Sequence, residues 1–318
     1  MKEVVAGVDI GGTNTVFGLV DKSGNVYEEK RIKTPDYPDF KEFVTVLASE
    51  IEKLVAGEKD ISLAAIGIGA PNANYHKGTI EFAPNLAWKG VVSLGESMRK
   101  KINVPVAVTN DANAAAIGEM MFGGAKGMKD FIVLTLGTGL GSGIVINGEV
   151  VYGHTGFAGE LGHTILVQGG RACGCGLHGC YETYGSASGL VRTVLLKLSE
   201  MRDPSPLREI LPSQLTSKII VEAAEKSDKV ALAAIDHMAE NLALGIANAI
   251  GFSSPEAVFL FGGLAKAGEL LFAPTRRYVD KFVFPIFKGT YKILPSGVNE
   301  SNAAVLGAAA LAWKELEK

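Results

Sequence analysis

The 318-residue sequence has only three cysteines and two tryptophans, no long apolar run and no large excess of charge of either sign. Its net charge of −3 gives no reason to expect nucleic-acid or membrane-surface binding. No stretch approaches about 18 consecutive apolar residues, and the N-terminal apolar run is too short for a signal peptide. We therefore expect a cytoplasmic protein without nucleic-acid or membrane partners.

All three cysteines lie close together in the chain, at Cys173, Cys175 and Cys180, and His163 precedes them. Zinc prefers thiolate and imidazole ligands, and a site with four protein ligands and no open position is structural. The spacing predicts a structural Zn²⁺ site, with His163 as the favoured fourth ligand and His178 as the alternative. Unliganded buried thiols or a disulfide stay open, although the odd cysteine count and the lack of a signal peptide disfavour a disulfide.

A strand, a glycine-threonine turn and a return strand occur twice, at residues 8–20 and at residues 134–146. Such a turn offers backbone N–H groups and a threonine hydroxyl to a phosphate, and a plain hairpin is the alternative. The candidate nucleotide-binding residues are Gly11, Gly12, Thr13 and Asn14 in the first turn and Gly137, Thr138 and Gly139 in the second. Asp9 ends the first strand, where a carboxylate can hold Mg²⁺ through water.

The repeated unit is similar to the phosphate-binding arrangement of the actin, hexokinase and Hsp70 class of ATP-binding proteins. This similarity implies a two-domain α/β fold of the actin/hexokinase-like (ribonuclease H-like) class, with one copy of the unit in each domain. The Walker A pattern is absent from the sequence. In this class a glycine pair such as Gly262-Gly263, which follows a buried strand, lies against the adenosine of ATP.

Asn110 and Asp111 stand between a predicted strand and an alanine-rich predicted helix. In open α/β sheets, ligands bind at the carboxyl ends of the strands. Asp111 can cap the helix, which stabilises it by about 1 kcal/mol, or it can act as a general base. The two roles are compatible, because the positive end of the helix dipole favours an ionised carboxylate.

The pattern E-x-G-H followed by C-x-C-G-x-x-G-C-x-E, here residues 160–163 and 173–182, resembles the signature of the ROK family (repressors, open reading frames and kinases). The resemblance extends from Val4 to about Leu311 and is strongest to the bacterial glucokinase branch. It implies that His163 and the three cysteines bind zinc. It also implies that Glu160, Glu182 and the same histidine contact a sugar.

The resemblance implies further sugar contacts from Gly69, in a G-x-G-x-P segment, and from Asn85, for which a turn residue is the alternative. The sequence departs from the family at Asn72, where a glycine often follows the proline. Asp111 is implied as the general base, with Asn110 as another sugar contact. The expected reaction is phosphoryl transfer from ATP, with Mg²⁺, to the 6-OH of glucose by a homodimer or homotetramer.

The expected domains are an N-terminal domain at residues 1–122, to which a C-terminal helix at 302–318 returns, and a larger zinc-containing domain at 123–301. One alternative function is a kinase for N-acetylmannosamine, N-acetylglucosamine, fructose or allose, and the phosphoryl donor (ATP or polyphosphate) stays open. A sugar-responsive repressor is disfavoured, because a strand near Met1 leaves no room for a DNA-binding segment. An ATP-driven chaperone or filament protein is disfavoured by the zinc loop.

Overall fold

The computed structural model describes residues 1–299 and 301–318 and has a mixed α/β architecture, as predicted. The strands are β1 (Lys2–Ile10), β2 (Asn14–Val20), β3 (Val26–Lys33), β4 (Ile61–Gly69), β5 (Ala73–Asn74), β6 (Thr79–Glu81), β7 (Val91–Val92), β8 (Val106–Thr109), β9 (Phe131–Leu136), β10 (Leu140–Ile146), β11 (Glu149–Val150), β12 (Ala257–Phe261) and β13 (Lys292–Pro295). The α-helices are α1 (Phe40–Gly57), α2 (Leu94–Arg99), α3 (Asp111–Phe122), α4 (Glu182–Gly185), α5 (Ala187–Glu200), α6 (Ser217–Glu225), α7 (Lys229–Ser253), α8 (Glu269–Phe282) and α9 (Ala303–Leu316).

The described chain divides into two compact units. Unit 1 comprises Met1–Met128, Glu149–Gly159 and Gly297–Lys318. Unit 2 comprises Lys129–Gly148 and Glu160–Ser296. The domain boundaries predicted after residues 122 and 301 remain a prediction.

The main sheet of unit 1 has the strand order β3-β2-β1-β4-β8. Strand β1 is antiparallel to β2 and parallel to β4, which is in turn parallel to β8. Helix α1 buries Phe43, Leu47 and Ile51, whose spacing of four residues places them on one face of the helix. Its N-cap is Asp39, whose side chain accepts a hydrogen bond from the Glu42 N–H.

Helix α9 packs directly on β1 and β4, because these strands carry glycines at the contact. A Cβ atom on Gly7 or Gly67 would collide with the backbone of the helix. Helix α9 also crosses α3 at a pair of glycines, where a Cβ atom on Gly118 would lie 2.9 Å from the Gly307 Cα. This packing fixes the position of α3, the helix that begins at Asp111.

Unit 2 contains the adjacent strands β10, β9, β12 and β13, in which β12 is parallel to both β9 and β13. Helix α7 packs against α5 and α8 and buries a run of alanine and larger aliphatic side chains. It is long and apolar enough to cross a membrane, but 56% of its most apolar window is buried. The core helix of a soluble protein passes the same test, so this is weak evidence for a membrane span.

Candidate functional site

In unit 1, the carboxyl ends of the parallel strands β1, β4 and β8 meet at one edge of the sheet. Asp9 pairs in register with Gly69, and Gly69 pairs with Thr109 at the end of β8. A Cβ atom on Gly69 would lie 3.7 Å from Asp9 Oδ1 and 3.7 Å from the Asp111 Cα. The structure therefore brings together three of the predicted site residues, which are far apart in sequence.

The two carboxyl groups at this edge have pKa values above the ordinary range. Burial, together with the nearby charge of Asp111, raises the pKa of Asp9 to about 7. Burial also raises the pKa of Asp111, although a hydrogen bond from the Ala112 N–H to Oδ1, at 2.8 Å, opposes this effect. Protein atoms surround the Asp111 carboxyl group, yet the residue as a whole keeps contact with solvent. This carboxyl group is thus accessible and binds a proton more tightly than that of an ordinary aspartate.

The start of α3 differs from the prediction by one residue. The helix cap is Asn110, not Asp111, because Asn110 has an extended backbone and its side chain accepts a hydrogen bond from the Asn113 N–H at 2.7 Å. Asp111 is the first residue of the helix. The capping interpretation of Asp111 is therefore wrong.

The predicted turn Gly11–Asn14 is closed by a hydrogen bond from the Gly11 N–H to the Asn14 carbonyl oxygen at 2.9 Å. It packs against Asn85, since a Cβ atom on Gly12 would lie 2.7 Å from the Asn85 carbonyl oxygen. The turn, including Thr13, and the predicted sugar ligand Asn85 therefore belong to one local structure.

The departure from the family pattern at Asn72 is accommodated locally. Asn72 adopts a left-handed backbone with φ of 50°. Asparagine tolerates this conformation better than most residues, which explains how it replaces a glycine here. Its side-chain amide also donates a hydrogen bond to the Glu81 carbonyl oxygen at 3.1 Å.

In unit 2, the four predicted zinc ligands converge. The donor atoms of His163, Cys173, Cys175 and Cys180 all lie within 4.8 Å of one another. The Cys173 Sγ is 3.8 Å from His163 Nδ1, and the Cys175 Sγ is 3.6 Å from the Cys180 Sγ. A tetrahedron with metal–sulfur bonds of about 2.3 Å has edges of about 3.8 Å, so these separations suit zinc.

Two alternatives, His178 as the fourth ligand and a disulfide, do not fit the observed geometry. His178 is not part of the group of converging donor atoms. All three cysteines are free, and the sulfur–sulfur separation of 3.6 Å between Cys175 and Cys180 is far above the disulfide bond length of about 2.05 Å. The donor set is the soft nitrogen and sulfur set that zinc prefers.

Two residues that the sequence analysis did not single out anchor the cysteine loop. Tyr181 is buried, and its hydroxyl donates to the Leu242 carbonyl oxygen on α7 at 2.7 Å. The Arg171 guanidinium donates to the Thr183 carbonyl oxygen at 2.8 Å and lies over the Tyr184 ring. A lone arginine and a lone tyrosine carry no recognisable sequence signal for this role.

Glu182 joins the ligand group to the second glycine-threonine turn. Its Oε1 accepts a hydrogen bond from the Cys173 thiol at 2.9 Å and lies 3.8 Å from His163 Nδ1. Its Oε2 is 2.7 Å from where a Cβ atom on Gly139 would lie. The carboxylate of Glu182 therefore lies directly against Gly139.

The segment containing Glu160 and His163 forms a short 3-10 helix at Leu161–His163. The His163 N–H donates to the Glu160 carbonyl oxygen at 3.1 Å, and the Leu161 N–H donates to the Ser142 hydroxyl at 3.2 Å. Gly162 packs so closely on the Leu140 carbonyl oxygen that no side chain fits. The E-x-G-H pattern thus needs its glycine for contact with β10.

Two glycine turns follow the parallel strands β9 and β12 of unit 2. In the first turn, the Thr138 carbonyl oxygen accepts a hydrogen bond from the Ser188 hydroxyl at 2.8 Å, and the Gly137 carbonyl oxygen accepts from the Ala187 N–H at 2.9 Å. In the second, Gly262 has φ of 101°, and a Cβ atom there would lie 2.9 Å from the Leu136 carbonyl oxygen. The structure therefore places Gly262-Gly263 beside the end of β9, next to the predicted phosphate turn.

Comparison with known proteins agrees with this geometry. The chain is 35% identical over 284 residues to a glucokinase of Halalkalibacterium halodurans, covering 88% of this chain and 86% of the relative. It is 30% identical over 315 residues to the xylose repressor of Caldicellulosiruptor bescii, covering 98% of this chain and 78% of that protein. Its structure matches a ROK family glucokinase from Streptomyces griseus in complex with glucose and AMPPNP, with a TM-score of 0.81, 33% identity and coverage of 98% of this chain and 99% of that one.

The profile of the ROK family matches residues 5–315, which is nearly the whole chain. The predicted fold class is confirmed by the structural match over nearly the full length of both chains. The protein belongs to the ROK family.

Proposed function

We propose that this protein is an ATP-dependent hexose kinase that converts glucose and ATP to glucose 6-phosphate and ADP. The observation that carries the proposal is Asp111, an accessible carboxylate at the start of α3 whose pKa is raised by burial. Its neighbours Asp9 and Gly69 lie at the same strand ends. The similarity to a glucokinase and to a glucose-bound ROK structure favours glucose as the acceptor.

Asp111 acts as the general base. It takes the proton of the sugar 6-OH while the hydroxyl oxygen forms a bond to the γ-phosphorus of ATP, and ADP leaves with the bond electrons. A base must be unprotonated but must also bind a proton well at the working pH. The N-terminus of α3 favours the ionised form, and burial of the same carboxylate strengthens its basicity.

The sugar is bound by amide, carboxylate and imidazole side chains, which suit a substrate with several hydroxyls, and Gly69 lies against it. These side chains belong to Asn85, Asn110, Glu160, His163 and Glu182. His163 offers one ring nitrogen to the zinc and the other to the sugar, an arrangement that also fixes its tautomer. Zinc, held with Cys173, Cys175 and Cys180, gives the loop its shape and takes no part in the chemistry.

The nucleotide is bound by the glycine turns. Residues 11–14 and 137–139 offer backbone N–H groups to the phosphates, and Gly262-Gly263 lie against the adenosine. Asp9 would hold Mg²⁺, and this ion would supply charge neutralisation of the phosphates. The raised pKa of Asp9 fits this role, because a bound cation would lower the free-energy cost of ionising two neighbouring carboxyl groups.

The activity is tested by measuring ADP release from MgATP with a panel of hexoses and N-acetylhexosamines. We expect glucose to give the highest kcat/KM. A higher kcat/KM with N-acetylmannosamine, N-acetylglucosamine, fructose or allose would keep the reaction and change the substrate. Binding of a sugar without ADP release from any member of the panel would instead favour a sugar-responsive regulator, the function that the similarity to a xylose repressor suggests.

A further inference from the structure

Within unit 1, the side chain of Asn72 joins the chain that follows β4 to the segment that leads into Asn85. Its amide nitrogen donates a hydrogen bond to the Glu81 carbonyl oxygen at 3.1 Å and a longer one to the Phe82 carbonyl oxygen at 3.4 Å. In return, the Glu81 N–H donates to the Asn72 carbonyl oxygen at 3.0 Å. We call these three hydrogen bonds the Asn72 clamp.

The Asn72 side of the clamp is fixed to the edge of the main sheet. Two residues before Asn72, the Ala70 N–H donates a hydrogen bond to the Thr109 carbonyl oxygen at 2.9 Å. Thr109 is the last residue of β8, the strand that leads into Asp111. The clamp therefore holds residues 81–82 to a part of the backbone that is itself tied to the strand ends of the candidate site.

The other side of the clamp ends at Phe82, whose backbone is left-handed with φ of 53°. This conformation is unfavourable for a bulky residue and persists only where surrounding contacts hold it. Phe82 is 70% exposed, so packing of its ring contributes little. Hydrogen bonds hold it instead: the Asn72 amide binds its carbonyl oxygen, and its own N–H donates to the Gly90 carbonyl oxygen at 2.7 Å.

The position of Asn85 depends on the conformation of Phe82, which precedes it by three residues. Asn85 also contacts the first glycine turn, since a Cβ atom on Gly12 would lie 3.2 Å from the Asn85 Cβ and 3.5 Å from its Nδ2. A rotation of the backbone at Phe82 would therefore move the Asn85 amide relative to Gly12 and to the strand ends.

We propose that Asn72 is a positioning residue for hexose binding and that it acts through Asn85. The Asn72 clamp keeps Phe82 left-handed, and this conformation directs the chain so that the Asn85 amide meets the sugar. This inference rests on the proposed function, in which Asn85 binds the sugar. When the binding-competent conformation is only partly populated, the apparent affinity falls by the same fraction, so loss of the clamp weakens glucose binding.

Two substitutions of Asn72 remove the side-chain bonds of the clamp in different ways. Asn72→Gly should fold, because the residue is exposed and glycine readily adopts its left-handed backbone, φ 50°. Asn72→Asp keeps the size of the side chain but replaces the donating amide group by an acceptor beside two carbonyl oxygens. The matched control is Asn147→Gly, which changes another exposed asparagine with φ of 54°, in the turn between β10 and β11.

The measurements are the glucose Kd by calorimetry without nucleotide and kcat at saturating glucose. We expect both Asn72 variants to raise the glucose Kd about threefold to tenfold, with kcat within about twofold of the wild type, because the clamp positions a sugar contact and not the base. Asn147→Gly should change neither value by more than about twofold. Folded Asn72 variants that bind glucose as tightly as the wild type would overturn the inference.

A double-mutant cycle with Asn85→Ala separates an effect through Asn85 from general loosening of unit 1. Asn85→Ala alone should raise the glucose Kd about tenfold, and adding Asn72→Gly should then change it by less than about twofold. An effect of Asn72→Gly that is equally large with and without Asn85 would overturn the inference, and so would an unchanged glucose Kd in Asn85→Ala. A wild-type protein that neither binds nor phosphorylates a hexose would instead refute the proposed function itself.

Discussion

The carboxyl group of Asp9 should destabilise the ligand-free protein at alkaline pH. Its pKa is raised from 3.8 to about 7 by burial and by the charge of Asp111. A carboxyl group whose pKa is raised in the folded state favours folding fully only below its unfolded pKa, and this contribution is lost as the pH rises through about 7. The substitution Asp9→Asn removes the titrating carboxyl group and leaves a side chain of similar shape.

The size of the effect follows from the difference between the two pKa values. About three pH units at about 1.36 kcal/mol each correspond to about 4 kcal/mol well above the folded pKa. Part of this penalty is already present at about pH 5, since the unfolded carboxyl group is mostly ionised there. Between about pH 5 and about pH 8.5, the stability advantage of Asp9→Asn should therefore grow by roughly 2–3 kcal/mol.

The assay is denaturant unfolding of both proteins at the two pH values, without Mg²⁺ or nucleotide. Tryptophan fluorescence is the appropriate signal, because both tryptophans, Trp88 and Trp313, are buried in unit 1 with Asp9. Comparing the variant with the wild type at each pH cancels pH effects from the rest of the chain. The change in this difference between the two pH values also cancels any pH-independent cost of the amide.

A difference in unfolding free energy between the two proteins that is the same at both pH values would refute this prediction. A loss of stability of the variant relative to the wild type as the pH rises would contradict it more strongly. Either result would mean that Asp9 is readily ionised in the folded protein, and that burial beside Asp111 does not hold a proton there.

The remaining predictions concern the base, the metal and the packing of the cysteine loop. Asp111→Asn should lower kcat at least about 100-fold with little change in glucose Kd, and near-normal turnover would remove Asp111 as the base. Cys175→Ala should abolish zinc binding and lower the melting temperature, and metal content by mass spectrometry that stays at about one per chain would contradict this. Gly245→Ala should lower the free energy of unfolding by about 1–3 kcal/mol, because the new Cβ would collide with the Tyr181 ring. Gly251→Ala on the same helix has open space around it and should be neutral or stabilising. Equal changes in the free energy of unfolding of the two variants would refute the packing argument.

Features encoded by residues close together in sequence were the most predictable. The residue types and spacing of the three cysteines and His163 predict a metal-ligand group, and the structure brings their donor atoms together. The glycine turns after β1 and β9 are visible as glycine pairs that end β-branched runs. The two strand ends that hold Asp9 and Asp111 were identifiable because parallel strands expose their carboxyl ends at one edge.

Features that depend on tertiary contacts between distant segments were not predictable. The hydrogen bond from Asn74 to Thr155 joins residues 81 positions apart, and neither residue carries a motif. Arg171 anchors the cysteine loop through backbone carbonyl groups, which any sequence offers. The exact start of α3 depends on the extended backbone of Asn110, because asparagine and aspartate are equally good helix caps by type.

The central claim, that this ROK protein phosphorylates glucose with Asp111 as the base, is tested most directly by phosphorus NMR. The purified protein is incubated with MgATP and glucose, and the phosphorus-containing products are identified. The account predicts ADP together with a phosphomonoester on the glucose 6-oxygen, and almost no product from Asp111→Asn under the same conditions. Unchanged ATP with the wild-type protein, or equal product from the variant, would contradict it.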